Sequence, residues 1–288
     1  MITTESLLPA ERAARLERLA LRTRRPIAGA LAGQHLSPRR GSSLDFADHR
    51  AYTPGDDFRR IDQNLLARLD QLVIKMFDAD DDLTLNVLLD DSASMGFYGK
   101  DDIAKQLIAA LGFVALKRRD ALVLHTLNSP PRRCAGSTGL PSLLNMLAAA
   151  PSVGITNLSE AVGRFMESKG SGLMVVVSDF LTAEWNDALR ALPSQRREQA
   201  VAVHVLHPDE ITPTLLGDLE LIDAETGERL DVSLGPSSMK DMRLHIDAWL
   251  TDVRNTCRRI GFDYSRLLAT DNLDEHLSQQ WRAMDLLR

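Results

Sequence analysis

Residues 83–95 read Leu-Thr-Leu-Asn-Val-Leu-Leu-Asp-Asp-Ser-Ala-Ser-Met, and no other stretch limits the fold as tightly. The first seven are apolar apart from Thr84 and Asn86. That predicts a strand buried on both faces, as in a parallel sheet. It ends in Asp90, Ser92 and Ser94, an Asp-x-Ser-x-Ser cluster, with Ala93 and Gly96 keeping the turn small. A helix is predicted over 101–118. Open α/β sheets take ligands at the carboxyl ends of their strands. One carboxylate and two hydroxyls at that edge are hard oxygen donors, suited to magnesium or manganese. Ser and Asp after a strand also cap helices, so this stretch alone leaves both readings open.

The remaining pattern alternates. Strands are predicted over 72–77, 121–127, 173–177 and 200–206, with an edge strand at 132–135. Helices are predicted over 61–69, 140–149, 158–168 and 183–192. Such alternation implies an α/β fold with a doubly wound, mostly parallel sheet and helices on both faces. Before it, residues 9–25 suit one amphipathic helix with Leu16, Leu19 and Ala20 as its apolar stripe. Residues 34–57 show little periodicity and form an irregular N-terminal segment, with Phe46, Tyr52 and Phe58 as anchors. Arg50, Asp56, Asp57, Arg59, Arg60 and Asp62 interleave, which favours an ion-pair network there. Asp78, Asp80, Asp81 and Asp82 lack the Gly and terminal Glu of a calcium loop and read as a solvated turn. The tail suggests a hairpin of 219–223 with 229–234, a helix over 241–259 ended by Gly261, a strand over 263–270 and a helix over 273–287. The expected division is 1–82, packed on the main domain, and 83–288, the main domain itself.

Composition narrows the function classes. The 288 residues carry a formal net charge of -6, which argues against general nucleic-acid binding. No apolar run reaches ~18 residues, so no membrane span is expected. No apolar stretch precedes a cleavage site, so no signal peptide is expected. Cys134 and Cys257 lack metal-ligand spacing and read as unpaired thiols in a reducing cytoplasm.

Two later stretches bear on the cluster. Thr156 lies in Gly154-Ile155-Thr156-Asn157 before a helix, and Asp179 follows a strand in Ser178-Asp179-Phe180. With Asp90, Ser92 and Ser94 they supply two carboxylates and three hydroxyls. This set resembles the metal-ion-dependent adhesion site of von Willebrand factor A domains. The resemblance implies magnesium, with manganese or calcium as alternatives, and one coordination position open to a partner's carboxylate. Magnesium takes six oxygens at ~2.1 Å and usually keeps water. Asp91 is a weaker candidate, since strand alternation should point it away from Asp90 and Ser92.

Gly41-Ser-Ser-Leu-Asp45-Phe46, Arg50-Ala-Tyr52-Thr-Pro54-Gly55-Asp56-Asp57 and Arg59-Arg-Ile61-Asp62 precede the site. Together they resemble the bacterial domain-of-unknown-function family fifty-eight, over about residues 33–231. Asp223-Ala-Glu225-Thr226-Gly227-Glu228 is similar to that family's later hairpin. Gln63 stands where the family usually has Trp, and Ser43 where a second Gly is usual. The resemblance implies a von Willebrand A-like fold and a MoxR-type AAA+ ATPase as partner. It also implies a non-enzymatic role in assembly, maturation or remodelling of a client protein. The alternative is a metal-dependent phosphohydrolase using Asp90. Against it, Ser92 stands where that chemistry wants a second Asp, and no phosphate-loop, zinc-helix or nucleophile-elbow motif is present. His204 and His207 read as structural.

Overall fold

The computed structural model describes residues 2–21, 46–52, 61–62, 65–66, 68, 72–77, 83–155, 157–167, 172–191 and 199–288. The chain divides into two compact units, Met1–Ile27 with Leu83–Arg288, and Ala28–Asp82. In the first, α1 (Thr4–Leu7) is capped by the Thr3 side chain and α2 (Ala10–Leu16) starts after Pro9. The single helix expected over 9–25 therefore stops early. Its continuation pairs with the C-terminus instead: Ala20 and Arg288 exchange backbone hydrogen bonds of 2.9 and 3.0 Å, and Leu21 bridges Leu287. Backbone groups committed to that pairing cannot extend a helix.

The second unit, taken by itself, holds β1 (Phe46–Ala51) antiparallel to β2 (Val73–Phe77). β1 falls in the stretch expected to be irregular. Phe-Ala-Asp-His-Arg-Ala does not alternate apolar with polar, so the sequence pattern misses a strand that cross-strand pairing defines. Asp62 Oδ1 accepts the Leu65 N–H at 3.3 Å, capping the helical residues 65, 66 and 68. The charges expected to pair at 56, 57, 59 and 60, and the acidic run at 78–82, lie outside the described residues.

The first unit is built on β3 (Thr84–Leu89), α3 (Lys100–Lys117), β4 (Ala121–Thr126) and β5 (Arg132–Cys134). There follow α4 (Gly139–Ala149), α5 (Leu158–Glu167), β6 (Gly172–Ser178), α6 (Trp185–Ala191) and β7 (Gln199–Leu206). After α7 (Pro208–Ile211) come the hairpin β8 (Gly217–Ile222) and β9 (Arg229–Leu234), then α8 (Pro236–Arg259), β10 (Asp263–Leu268) and α9 (Leu273–His276). Strand order is β10-β7-β6-β3-β4-β5, parallel except for the β4–β5 edge.

Period-two alternation decides which face each side chain serves. Leu85, Val87 and Leu89 of β3, Leu173, Val175 and Val177 of β6, and Val201, Val203 and Val205 of β7 join one core with α3 and α4. Leu88, Met174, Val176, Ala200 and Ala202 face the other way, against α5, α6 and α8. Burial on both faces explains why the strands read as unbroken apolar runs.

The tail follows expectation with two changes. α8 begins at Pro236, earlier than the apolar pattern indicated, because Pro needs no N–H partner in a first turn. The helix expected over 273–287 breaks: α9 passes into a π-turn at Leu277–Trp281, and the chain then bends at Asp285, φ +56°, toward Ala20 and Leu21. Among the described residues no helix is long and apolar enough to cross a membrane.

Candidate functional site

The winding of the sheet reverses at β3. From there the chain passes through α3 to β4 on one side, then returns through α4 and α5 to β6 on the other. The carboxyl edge of such a switch point is where doubly wound sheets take ligands. Asp90 follows β3 and Asp179 follows β6, so parallel pairing of these strands sets both carboxylates at that edge.

Asp90 is 1% exposed. Its Oδ1 accepts the Ser92 N–H at 3.0 Å and its Oδ2 the Ser178 hydroxyl at 2.5 Å. The Ser92 and Ser94 hydroxyls lie 3.0 Å apart. Asp179, equally buried, accepts the Leu181 N–H on Oδ1 at 3.0 Å and the Lys100 ammonium on Oδ2 at 2.8 Å. The Ala93 N–H donates to the Gly154 carbonyl at 3.1 Å, fastening this turn to the loop before α5. Thr156, expected in the same set, lies outside the described residues. Of the five residues singled out, Asp90, Ser92 and Ser94 thus share one turn, and Ser178 links Asp90 to the strand end that carries Asp179.

Burial pushes the Asp90 carboxyl up to about 6, and Asp179 adds to the push. Hydrogen bonds from Ser178 and Ser92 offset part of it. Two carboxylates buried close together favour protonation or a cation between them. The donors are all hard oxygens: two carboxylates and the hydroxyls of Ser92 and Ser94. Among the described residues no three His, Cys, Asp or Glu side chains form a metal-binding group. A mixed carboxylate and hydroxyl set still suits a hard divalent cation that keeps part of its water.

Asp91 points elsewhere. Its Oδ1 accepts the Leu127 N–H at 2.9 Å and the Asn128 amide at 3.3 Å. Burial raises it as well. It braces the ends of β3 and β4 and takes no part in the Asp90–Asp179 pair.

Further residues complete the edge. Lys100, 1% exposed, donates to Glu210 Oε1 at 2.6 Å as well as to Asp179. Burial pulls its ammonium down, but Asp179 and Glu210 outweigh that and leave it raised. His204 lies under the loop, with Nε2 donating to the Asp179 carbonyl and Nδ1 accepting the Tyr264 hydroxyl, both at 2.9 Å. Burial lowers its ring to about 4, so it is neutral at pH 7. His207 caps α7 by accepting the Asp209 N–H. The sequence does carry a signal for Lys100, since a cation in the first turn of a helix opposes the dipole and needs a partner. Bulky Tyr98 and Phe180, at φ +58° and +52°, flank the site. Surroundings must hold such conformations, and they gather at functional sites.

The switch-point edge, the sheet order and the helices on both faces define a doubly wound α/β protein, consistent with a von Willebrand A-like fold. The chain belongs to the family described as Protein of unknown function DUF58, which matches residues 48–255. An uncharacterized protein of Mycobacterium tuberculosis is 30% identical over 263 residues, covering 86% of this chain and 82% of the relative. An uncharacterized protein of Mycobacterium bovis matches to the same extent. Among solved structures, the conserved hypothetical protein BatB of Bacteroides thetaiotaomicron aligns at TM-score 0.40 and 16% identity, covering 70% of this chain and 98% of BatB. An aerotolerance-related membrane protein of Bacteroides fragilis aligns at TM-score 0.41 and 17% identity, covering 71% and 98%.

Proposed function

We propose that this chain is a non-enzymatic, magnesium-dependent protein-binding module. It acts as an adaptor with a MoxR-type AAA+ ATPase in the assembly, maturation or remodelling of a client protein. The observation that carries the reading is the buried pair Asp90 and Asp179 at the switch point, beside the hydroxyls of Ser92 and Ser94. Asp90, Ser92, Ser94 and Asp179 would hold the ion directly or through water, with Thr156 as the further ligand that the resemblance implies. When bound, the ion supplies an electrophilic position for an incoming carboxylate, because hydroxyl ligands add no charge to neutralise it. The ATPase partner rests on the family resemblance.

Several features of the edge support binding over catalysis. Both oxygens of Asp90 accept hydrogen bonds, and the side chain is buried, which is poor placement for a nucleophile. His204 is tied on both ring nitrogens and positions the Asp179 carbonyl.

Binding to a MoxR-type ATPase from the same genome tests this. With magnesium the parent chain should be retained on the immobilised ATPase, and chelator should release it. Asp90→Ala and Asp179→Ala should lose at least tenfold in affinity while keeping the parent's circular dichroism spectrum. Asp91→Asn, which keeps an acceptor for Leu127, should bind like the parent. Folded Asp90 and Asp179 variants that bind as tightly as the parent would sink the reading.

A further inference from the structure

Lys100 is the first residue of α3, placed there by consecutive left-handed residues, Tyr98 at φ +58° and Gly99 at +74°. A lysine so near a helix N-terminus opposes the dipole. This one is nevertheless buried, with its ammonium 2.8 Å from Asp179 Oδ2 and 2.6 Å from Glu210 Oε1. Glu210 is itself fixed, since its Oε2 accepts the His207 N–H at 2.7 Å. The His207 ring in turn stacks on Tyr98, with centroids 4.6 Å apart and planes at 13°. Asp179, after β6, and Glu210, after β7, thus grip the ammonium from two sides.

The two site carboxylates are therefore unequal. Among the described residues Asp90 has only neutral donors, from Ser92 and the Ser178 hydroxyl. Asp179 already has a cation on Oδ2 and a backbone N–H on Oδ1. A divalent ion reaching Asp179 must share it with Lys100 or displace the Leu181 N–H. Asp90, Asp179 and Glu210 set three negative charges against one ammonium, which leaves room for further positive charge at a reduced gain. We propose that Lys100 is a built-in competitor for the divalent ion at Asp179, tethered by Glu210, and that it sets the ion affinity of the site. The inference rests on the ion site proposed above and names the residue that tunes it.

The probe is Mn²⁺ alone, with free ion counted by electron paramagnetic resonance on the full chain. Lys100→Met removes the competitor and should bind Mn²⁺ at least tenfold more tightly than the parent. Lys100→Arg keeps the charge and should stay within about threefold of the parent. If Lys100→Met does not fold, Glu210→Gln decides. It loosens the tether, leaves the ammonium to Asp179, and should weaken Mn²⁺ binding severalfold. A lysine that only holds the fold together would leave Lys100→Met unchanged or weaker toward Mn²⁺. That result, or unchanged binding in Glu210→Gln, overturns the assignment of Lys100 while leaving the ion site standing. No Mn²⁺ binding by parent and Lys100→Met alike would overturn both.

Discussion

Neighbouring side chains of one type do different work here because their partners differ. Asp90 and Asp91 are adjacent and both buried, yet one turns to Ser178 and the other to Leu127 and Asn128. Among the described buried groups outside the site, His125 is set to make stability depend on pH. It is 3% exposed, meets Phe165 edge-on at 4.7 Å, and its Nε2 has no hydrogen-bond partner among the described residues. Burial, then nearby Arg164, lowers it to about 4. A histidine depressed on folding contributes stability that is present above its unfolded value near 6.5 and is lost as pH falls toward 4. We expect the parent to lose about 2–3 kcal/mol from this residue between pH 6.5 and 4.5, at 1.36 kcal/mol per unit. His125→Leu should remove that part of the slope in denaturant titrations at the two pH values. Parallel slopes in parent and variant would show that His125 is not the titrating group.

At the scale of elements, the central strands were legible because each is buried on both faces and so carries an unbroken apolar run. The edge strand β5 and the β8–β9 hairpin were legible from Pro130-Pro131 and from the Asp223 turn, whose Oδ1 accepts the N–H groups of Glu225 and Thr226. β1 was not legible, since pairing with β2 defines it. Nor was the early end of α2, which depends on Arg288 at the far end of the chain. The site shows the same division. Asp90, Ser92 and Ser94 form a local pattern, whereas Lys100 and Glu210 are 110 residues apart and meet only through the fold. Close strand approach gives an element-scale prediction. A Cβ on Gly172 would lie 2.1 Å from the Thr84 carbonyl oxygen, across the β3–β6 pair that carries the site. Gly172→Ala should cost ~2 kcal/mol or more in chemical denaturation. A cost below about 0.5 kcal/mol, the range of ordinary surface changes, would show that the strands can part there without penalty.

For the whole molecule, the winding of the sheet makes the site. Reversal at β3 brings two strand ends together, and the residues that follow them supply the carboxylates and hydroxyls. Helices on both faces bury those strands and leave the proposed site at their carboxyl edge. The central claim is that a divalent ion belongs at this edge, and crystals of the full chain grown with Mn²⁺ test it most directly. Anomalous scattering at the manganese edge should give a peak within about 2.5 Å of a Ser92 or Ser94 hydroxyl and within direct or one-water reach of Asp90 and Asp179. A fully manganese-loaded crystal with no peak there, and with Lys100 still seated on Asp179, would contradict it.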